Sequence, residues 1–159
     1  MTLKPRGGIK SRGIKRKPRQ NPTRGKKRAN KPLSISKLIK TADALFSAKA
    51  RRIGAWEQDG ELWNKCYTSG YKAPIRKLHC GHYLSRYYKS ARWDFDNARP
   101  QSMMDNMWKR GDPVRFRENL IREIGEARVL AVERKRGVSL KLTREYLTDL
   151  IYSLKQSLL

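Results

Sequence analysis

The chain has 159 residues, with 38 Lys or Arg against 14 Asp or Glu and a formal charge of +24. That length suits one domain, and the charge points to a polyanionic partner, nucleic acid first. No run approaches the ~18 apolar residues of a membrane span, and the basic N-terminus lacks the apolar core of a secretory signal.

The charge is unevenly spread. Residues 1–32 carry 13 Lys or Arg and no acid, which leaves 25 basic and 14 acidic residues, a net +11, for the rest. This segment is broken by Pro and Gly and offers little to bury, so it is expected to be a disordered arm. Lys15, Arg16, Lys17, Arg19, Lys26, Lys27 and Arg28 are its densest cations. They suit phosphate tracking on DNA. The plainer alternative is a tail that only solubilises.

A body from residue 33 to 159 follows. Ile35, Leu38, Ile39, Ala42, Leu45, Phe46 and Ile53 recur at helical spacing, with Ser34 or Ser36 available as cap. Between Gln58 and Ala73 the helical pattern stops, and Gly60, Gly70 and Pro74 mark short hairpin pieces. In "GDPVRFRENLIREIG", Asp112 reads as N-cap, Pro113 as first helical residue and Gly125 as stop. A further helix is expected over about 126–134, and Thr143 opens a last one with Tyr146, Leu147, Leu150, Ile151 and Leu154 on one side. The fold class is α+β, with helices around a small hairpin centre.

The centre is "KLHCGHYLSRYYKSARWDFDNARPQSMMDN", which holds both histidines and Cys80. With only Cys66 besides, the thiols make no disulfide framework and fit an intracellular setting. His79 and His82 lie three apart, Asn97 fifteen after His82, and Asn106 nine after Asn97. A hairpin-plus-helix nuclease centre needs an imidazole to take a proton from water. It needs a divalent ion to neutralise the scissile phosphate, and an amide to fix the loop that carries the base. The spacing alone also fits a strand whose histidines are merely half-buried.

"LHCGHYLSR", "RWDFDNARPQ" and "FRENLIREIG" together resemble the phage NinG (Rap) recombination proteins of the HNH endonuclease group. The resemblance covers roughly 36–134 and extends to the basic arm. It implies a small ββα-metal, HNH-like hairpin–helix centre packed with flanking helices. By that resemblance His82 is the general base, Asn97 the central Asn and Asn106 a metal ligand, with His79 as second ligand and Asp105 as a further one. Arg92 is expected to clamp phosphate through its guanidinium fork, and Arg86, Arg99 and Arg117 to contact DNA. Mg2+ or Mn2+ is the expected catalytic ion; an imidazole at His79 suits Mn2+ better than Mg2+.

Relatives are expected to hold a structural zinc with two Cys-x-x-Cys pairs. Here those turns read Cys66-Tyr67-Thr68-Ser69 and Ser102-Met103-Met104-Asp105, with one thiol of four. Cys66 and Asp105 supply at most two of four ligands, so no structural zinc is expected. Met103, Met104, Trp63, Trp108 and Tyr67 are expected to replace it by apolar packing. The implied function is a structure-specific endonuclease cutting branched, Holliday-junction-like DNA in phage recombination, in the cytoplasm of the bacterial host. A two-fold dimer would suit symmetric cutting. The other function class is a non-catalytic nucleic-acid-binding protein on the same fold.

Overall fold

The computed structural model describes residues 32–156. The arm cations named above, Lys15 to Arg28, lie outside the described residues.

Helix α1 spans Ile35–Ala50, and Ser34 caps it by accepting the Lys37 N–H at 3.3 Å. Leu38, Ala42, Phe46 and Ala50 recur every fourth residue and are buried. This stripe packs on Leu147, Ile151 and Leu154 of the last helix, α4 (Arg144–Gln156). Trp93 and Ala98 from the centre complete the same core. Full burial of each large side chain contributes about 1.5–3 kcal/mol. The first helix is therefore a clamp between α4 and the centre.

After α1 come three short antiparallel strands, β1 (Trp56–Gln58), β2 (Glu61–Lys65) and β3 (Lys72–Pro74). The β1–β2 loop is Asp59-Gly60, with φ of 52° and 72°. Two successive left-handed residues are what a type I′ hairpin requires, and Asp-Gly meets that cheaply. Asn64 on β2 is buried, and its amide donates to the Arg51 and Ile53 carbonyls, tying this sheet to the end of α1.

A second, two-stranded sheet pairs β4 (His79–His82) with β5 (Ala98–Gln101), in the register His79↔Gln101 and His82↔Ala98. A π-helical turn, Met104–Trp108, follows β5. Helix α2 (Pro113–Ile124) starts as expected with Asp112 as cap and Pro113 first, and α3 (Glu126–Arg134) follows across Gly125. Phe116, Leu120 and Val129 form a second core, against which Tyr67 and Tyr83 pack. Among the described residues no helix is long and apolar enough to cross a membrane.

Candidate active site

The β4–β5 pair is held by two side-chain amides. Asn97 is fully buried, accepts the Leu84 N–H at 2.7 Å, and donates to the carbonyls of Leu84 (3.0 Å) and Ala91 (2.9 Å). One side chain thus pins both ends of the Leu84–Ala91 loop to the start of β5. Gln101, also buried, donates to Thr68 Oγ1 (3.1 Å) and to the Gly111 carbonyl (2.8 Å), while its Oε1 has no hydrogen-bond partner. Its chain lies across Gly81, where a Cβ would come within 2.6 Å of Gln101 Cγ. Gly81 is there because only a missing side chain admits that crossing.

His82 Nε2 lies 3.1 Å from the Arg92 carbonyl oxygen. A carbonyl only accepts, so Nε2 carries the proton and the neutral ring keeps its lone pair on Nδ1. Burial pushes the imidazole below its usual 6.5, and the charge of Arg86 adds to this; the Arg92 and Cys80 carbonyls and Asp43 oppose. The ring is thus neutral at neutral pH, with Cys80 Sγ 4.0 Å from its Nδ1. It packs against Phe46 of α1 at 5.8 Å between centroids.

His79 Nδ1 and Asn106 Nδ2 are 3.3 Å apart, so β4 and the π-helical turn bring these two polar side chains together. Both line one open cavity of about 440 Å3 with His82, Arg86 and Asp43. Leu78, His79, Cys80 and His82 all contribute, so the cavity runs along β4 rather than under one face. Burial pushes the Cys80 thiol up to about 12, so it stands there as a neutral thiol.

The donors that meet there are the His79 imidazole and the Asn106 amide. No group of three His, Cys, Asp or Glu is gathered to hold a metal among the described residues. Such a pair fits a divalent ion only when phosphate oxygens and water fill its remaining positions. Asp105, expected as a further ligand, does not line this cavity. It is buried on another side of the turn, against Cys66 and Ser102.

Arg92 does not present a free fork to the cavity. Its Nε and Nη2 donate to Asp43 at 2.9 and 2.6 Å, and Asp43 Oδ1 also accepts the Trp93 indole N–H at 2.9 Å. The expected phosphate clamp is instead a link from α1 to the loop whose carbonyl holds His82. Asp43 is the residue that sequence reasoning missed. An acid among the cations of an amphipathic helix gives no local signal of its partner.

Arg99, expected to contact DNA, is 4% exposed. It pairs with Glu123 at 2.8 Å and donates to the Phe95 and Ala98 carbonyls. Arg117 pairs with Glu133 at 2.8 Å. Arg86 is exposed at the cavity.

The two turns expected to replace a zinc site do meet, and polar groups fill the junction. Cys66 Sγ donates to Asp105 Oδ2 at 2.9 Å, and Ser102 Oγ donates to the same oxygen at 3.0 Å. Ser69 bonds to both Cys66 and Asp105, and Lys109 Nζ lies 2.9 Å from Asp105 Oδ1. Burial works against the Asp105 charge, but these donors outweigh it and hold the carboxyl well below its usual range. The expected apolar packing is corrected here: Met103, Met104 and Trp108 are exposed. Tyr67 does pack inward, on Phe116 at 4.9 Å, with its hydroxyl donating to Glu123 at 2.6 Å.

Together these features define an α+β protein with a two-stranded hairpin, an amide-pinned loop and a cationic cavity holding a neutral imidazole. The chain matches the family described as Bacteriophage Lambda NinG protein over residues 6–158, and it belongs to that family. No curated protein and no solved structure shows a significant match.

Proposed function

We propose that this NinG-family chain is an HNH-type endonuclease that hydrolyses phosphodiester bonds in branched DNA during phage recombination. The observation that carries the reading is His82, held by the Arg92 carbonyl as the tautomer with Nδ1 free of its proton. In that state it takes a proton from an attacking water. Asn97 fixes the loop that carries the Arg92 carbonyl, because it bonds to Ala91 next door. His79 and Asn106 are the residues that would hold the divalent ion, which when bound supplies charge for the leaving oxygen. Arg86 draws the phosphate backbone into the cavity.

Single-turnover nicking of four-way, flap and linear DNA, with Mg2+ or Mn2+ against EDTA, tests the reading. Metal-dependent nicking that favours branched forms and is lost in His82→Ala supports it. No nicking under any metal would end it.

The second reading, non-catalytic DNA binding, is favoured by a specific observation. The one carboxylate of the cavity, Asp43, is already engaged by Arg92 and Trp93. A centre with no free carboxylate binds phosphate more readily than a bare cation.

A further inference from the structure

We propose that the outward face of the π-helical turn takes up unpaired bases at a DNA branch. The turn sorts its side chains three ways. Asp105 points inward to Cys66, and Asn106 reaches His79 in the cavity. Met103, Met104, Met107 and Trp108 are left facing solvent, each more than half exposed, with Trp108 at 75%. Four large apolar side chains exposed within six residues, at the turn and its N-cap Met103, are the kind of surface that marks an interaction site. Met103 and Met104 also share a shallow depression of about 410 Å3 with Tyr71, Lys77 and Lys109.

Charge selects the occupant. Lys77 and Lys109 line that depression, Lys109 partly neutralised by Asp105, and Arg110 is exposed two residues after Trp108. A second copy of this chain would bring the same cations and be repelled, whereas a phosphate backbone is attracted. Paired DNA keeps its bases stacked and shows such a surface only phosphates and groove edges. At a branch point, unstacked bases expose flat π-faces, and an indole flanked by polarisable thioethers accepts them without reading sequence. The turn would then hold the branch with one face while Asn106, on the next, faces the cavity. Preference for branched DNA would reside here, while phosphate contacts elsewhere carry general affinity.

This inference rests on the DNA reading above, and the experiment separates the two. The full chain and its Trp108→Ala, Trp108→Phe and Met107→Ser variants are titrated with a four-way junction and a linear duplex of matched length. The junction carries 2-aminopurine at the branch. Both positions are exposed, and circular dichroism checks that the variants stay folded. Expected is a 2-aminopurine signal change with the unmodified chain. Junction affinity should fall about 5- to 100-fold in Trp108→Ala, with partial recovery in Trp108→Phe and a smaller loss in Met107→Ser. Linear-duplex affinity should stay within about twofold, as phosphate contacts alone hold it. Unchanged junction preference in Trp108→Ala, or equal loss on both DNA forms, overturns the inference and leaves the DNA reading standing. So does a dimer of the unmodified chain that Trp108→Ala converts to monomer, since the face would then be a self-contact. If the unmodified chain binds neither DNA form, the DNA reading fails and this inference with it.

Discussion

Asp43 holds Arg92 in a two-pronged grip: Oδ1 accepts Nε at 2.9 Å and Oδ2 accepts Nη2 at 2.6 Å. The backbone carbonyl of that same Arg92 fixes His82 Nε2. Helix α1 is therefore coupled, through one ion pair and one carbonyl, to the ring proposed as the base.

Asp43→Ala should accordingly cost more than a surface charge does. Both side chains of the pair are only about a fifth exposed, and the change strands the Arg92 guanidinium and the Trp93 indole together. A lost hydrogen bond to a charged group costs about 1.5–3 kcal/mol, which thermal or urea unfolding would register. Asp43→Asn keeps the shape and loses the charge, so it should lower the nicking rate more than it lowers stability. Equal rates in Asp43→Asn and the unmodified chain would show that the coupling does not reach His82.

His82→Ala should abolish nicking while junction binding stays within a few-fold, because loss of a positioned base costs about 10² to 10⁴ in rate. Rate should rise with pH through the lowered pKa of His82 and then level off, with activity persisting further into acid than an ordinary imidazole allows. The same shift has a stability sign. The unfolded ring binds a proton near its ordinary 6.5 and the buried ring resists it. Stability is thus fully present above that pH and falls as the solution is acidified through the window below it. Melting curves of His82→Ala should lack this component.

The polar junction between the two turns should make the fold independent of zinc. Purified protein should carry no stoichiometric zinc by elemental analysis and should melt at the same temperature in chelator. One tightly held zinc per chain, with melting on chelation, would contradict this. The Asp105 carboxylate is held below its ordinary 3.8, so its contribution is present above that pH and lost as pH falls below it. Asp105→Asn should flatten the acid limb of the stability curve, read by melts from about pH 5 down to about pH 2.

Gly81→Ala should destabilise by about 1–3 kcal/mol, the usual range for overpacking, because the new Cβ meets Gln101. The double change Gly81→Ala with Gln101→Ala should recover part of that loss by removing the obstruction. Additive destabilisation in the double variant would place the fault in the backbone instead.

Deleting residues 1–32 removes 13 cations and no acid. Binding to every DNA form should weaken, and the salt dependence of binding should flatten. Preference for branched over linear DNA should remain in the truncated chain. Gel-shift titrations at several salt concentrations measure all three.

Local patterns in the sequence were enough for the helices and caps. Ser34, Asp112, Pro113 and Gly125 act within a few residues of themselves, so their roles are readable from a short window. The Asp59-Gly60 turn is readable for the same reason. Spacing and resemblance singled out His79, Asn97 and Asn106 as residue positions; that His79 lies 3.3 Å from Asn106 and that Asn97 is bonded to the Leu84 and Ala91 carbonyls are facts of the fold. The fate of the charged side chains was not readable. Arg92, Arg99 and Arg117 look alike in a chain this basic, and each is engaged by an acid 49, 24 or 16 residues away. Met103 and Met104 read as core by type and face solvent instead.

By itself the sequence determined the charge, the helix starts and the residue types of the candidate site, because propensity, capping and periodicity act over one or two turns. The apolar spacing carried on to Ile53, although α1 ends at Ala50. Only the tertiary structure decided which cations remain available, that Asp43 stands behind His82, and that Asp105 faces Cys66 rather than His79. Those outcomes depend on which distant group occupies the space beside each side chain. Pairing across a packed interface is set by three-dimensional proximity, which no short stretch of chain encodes.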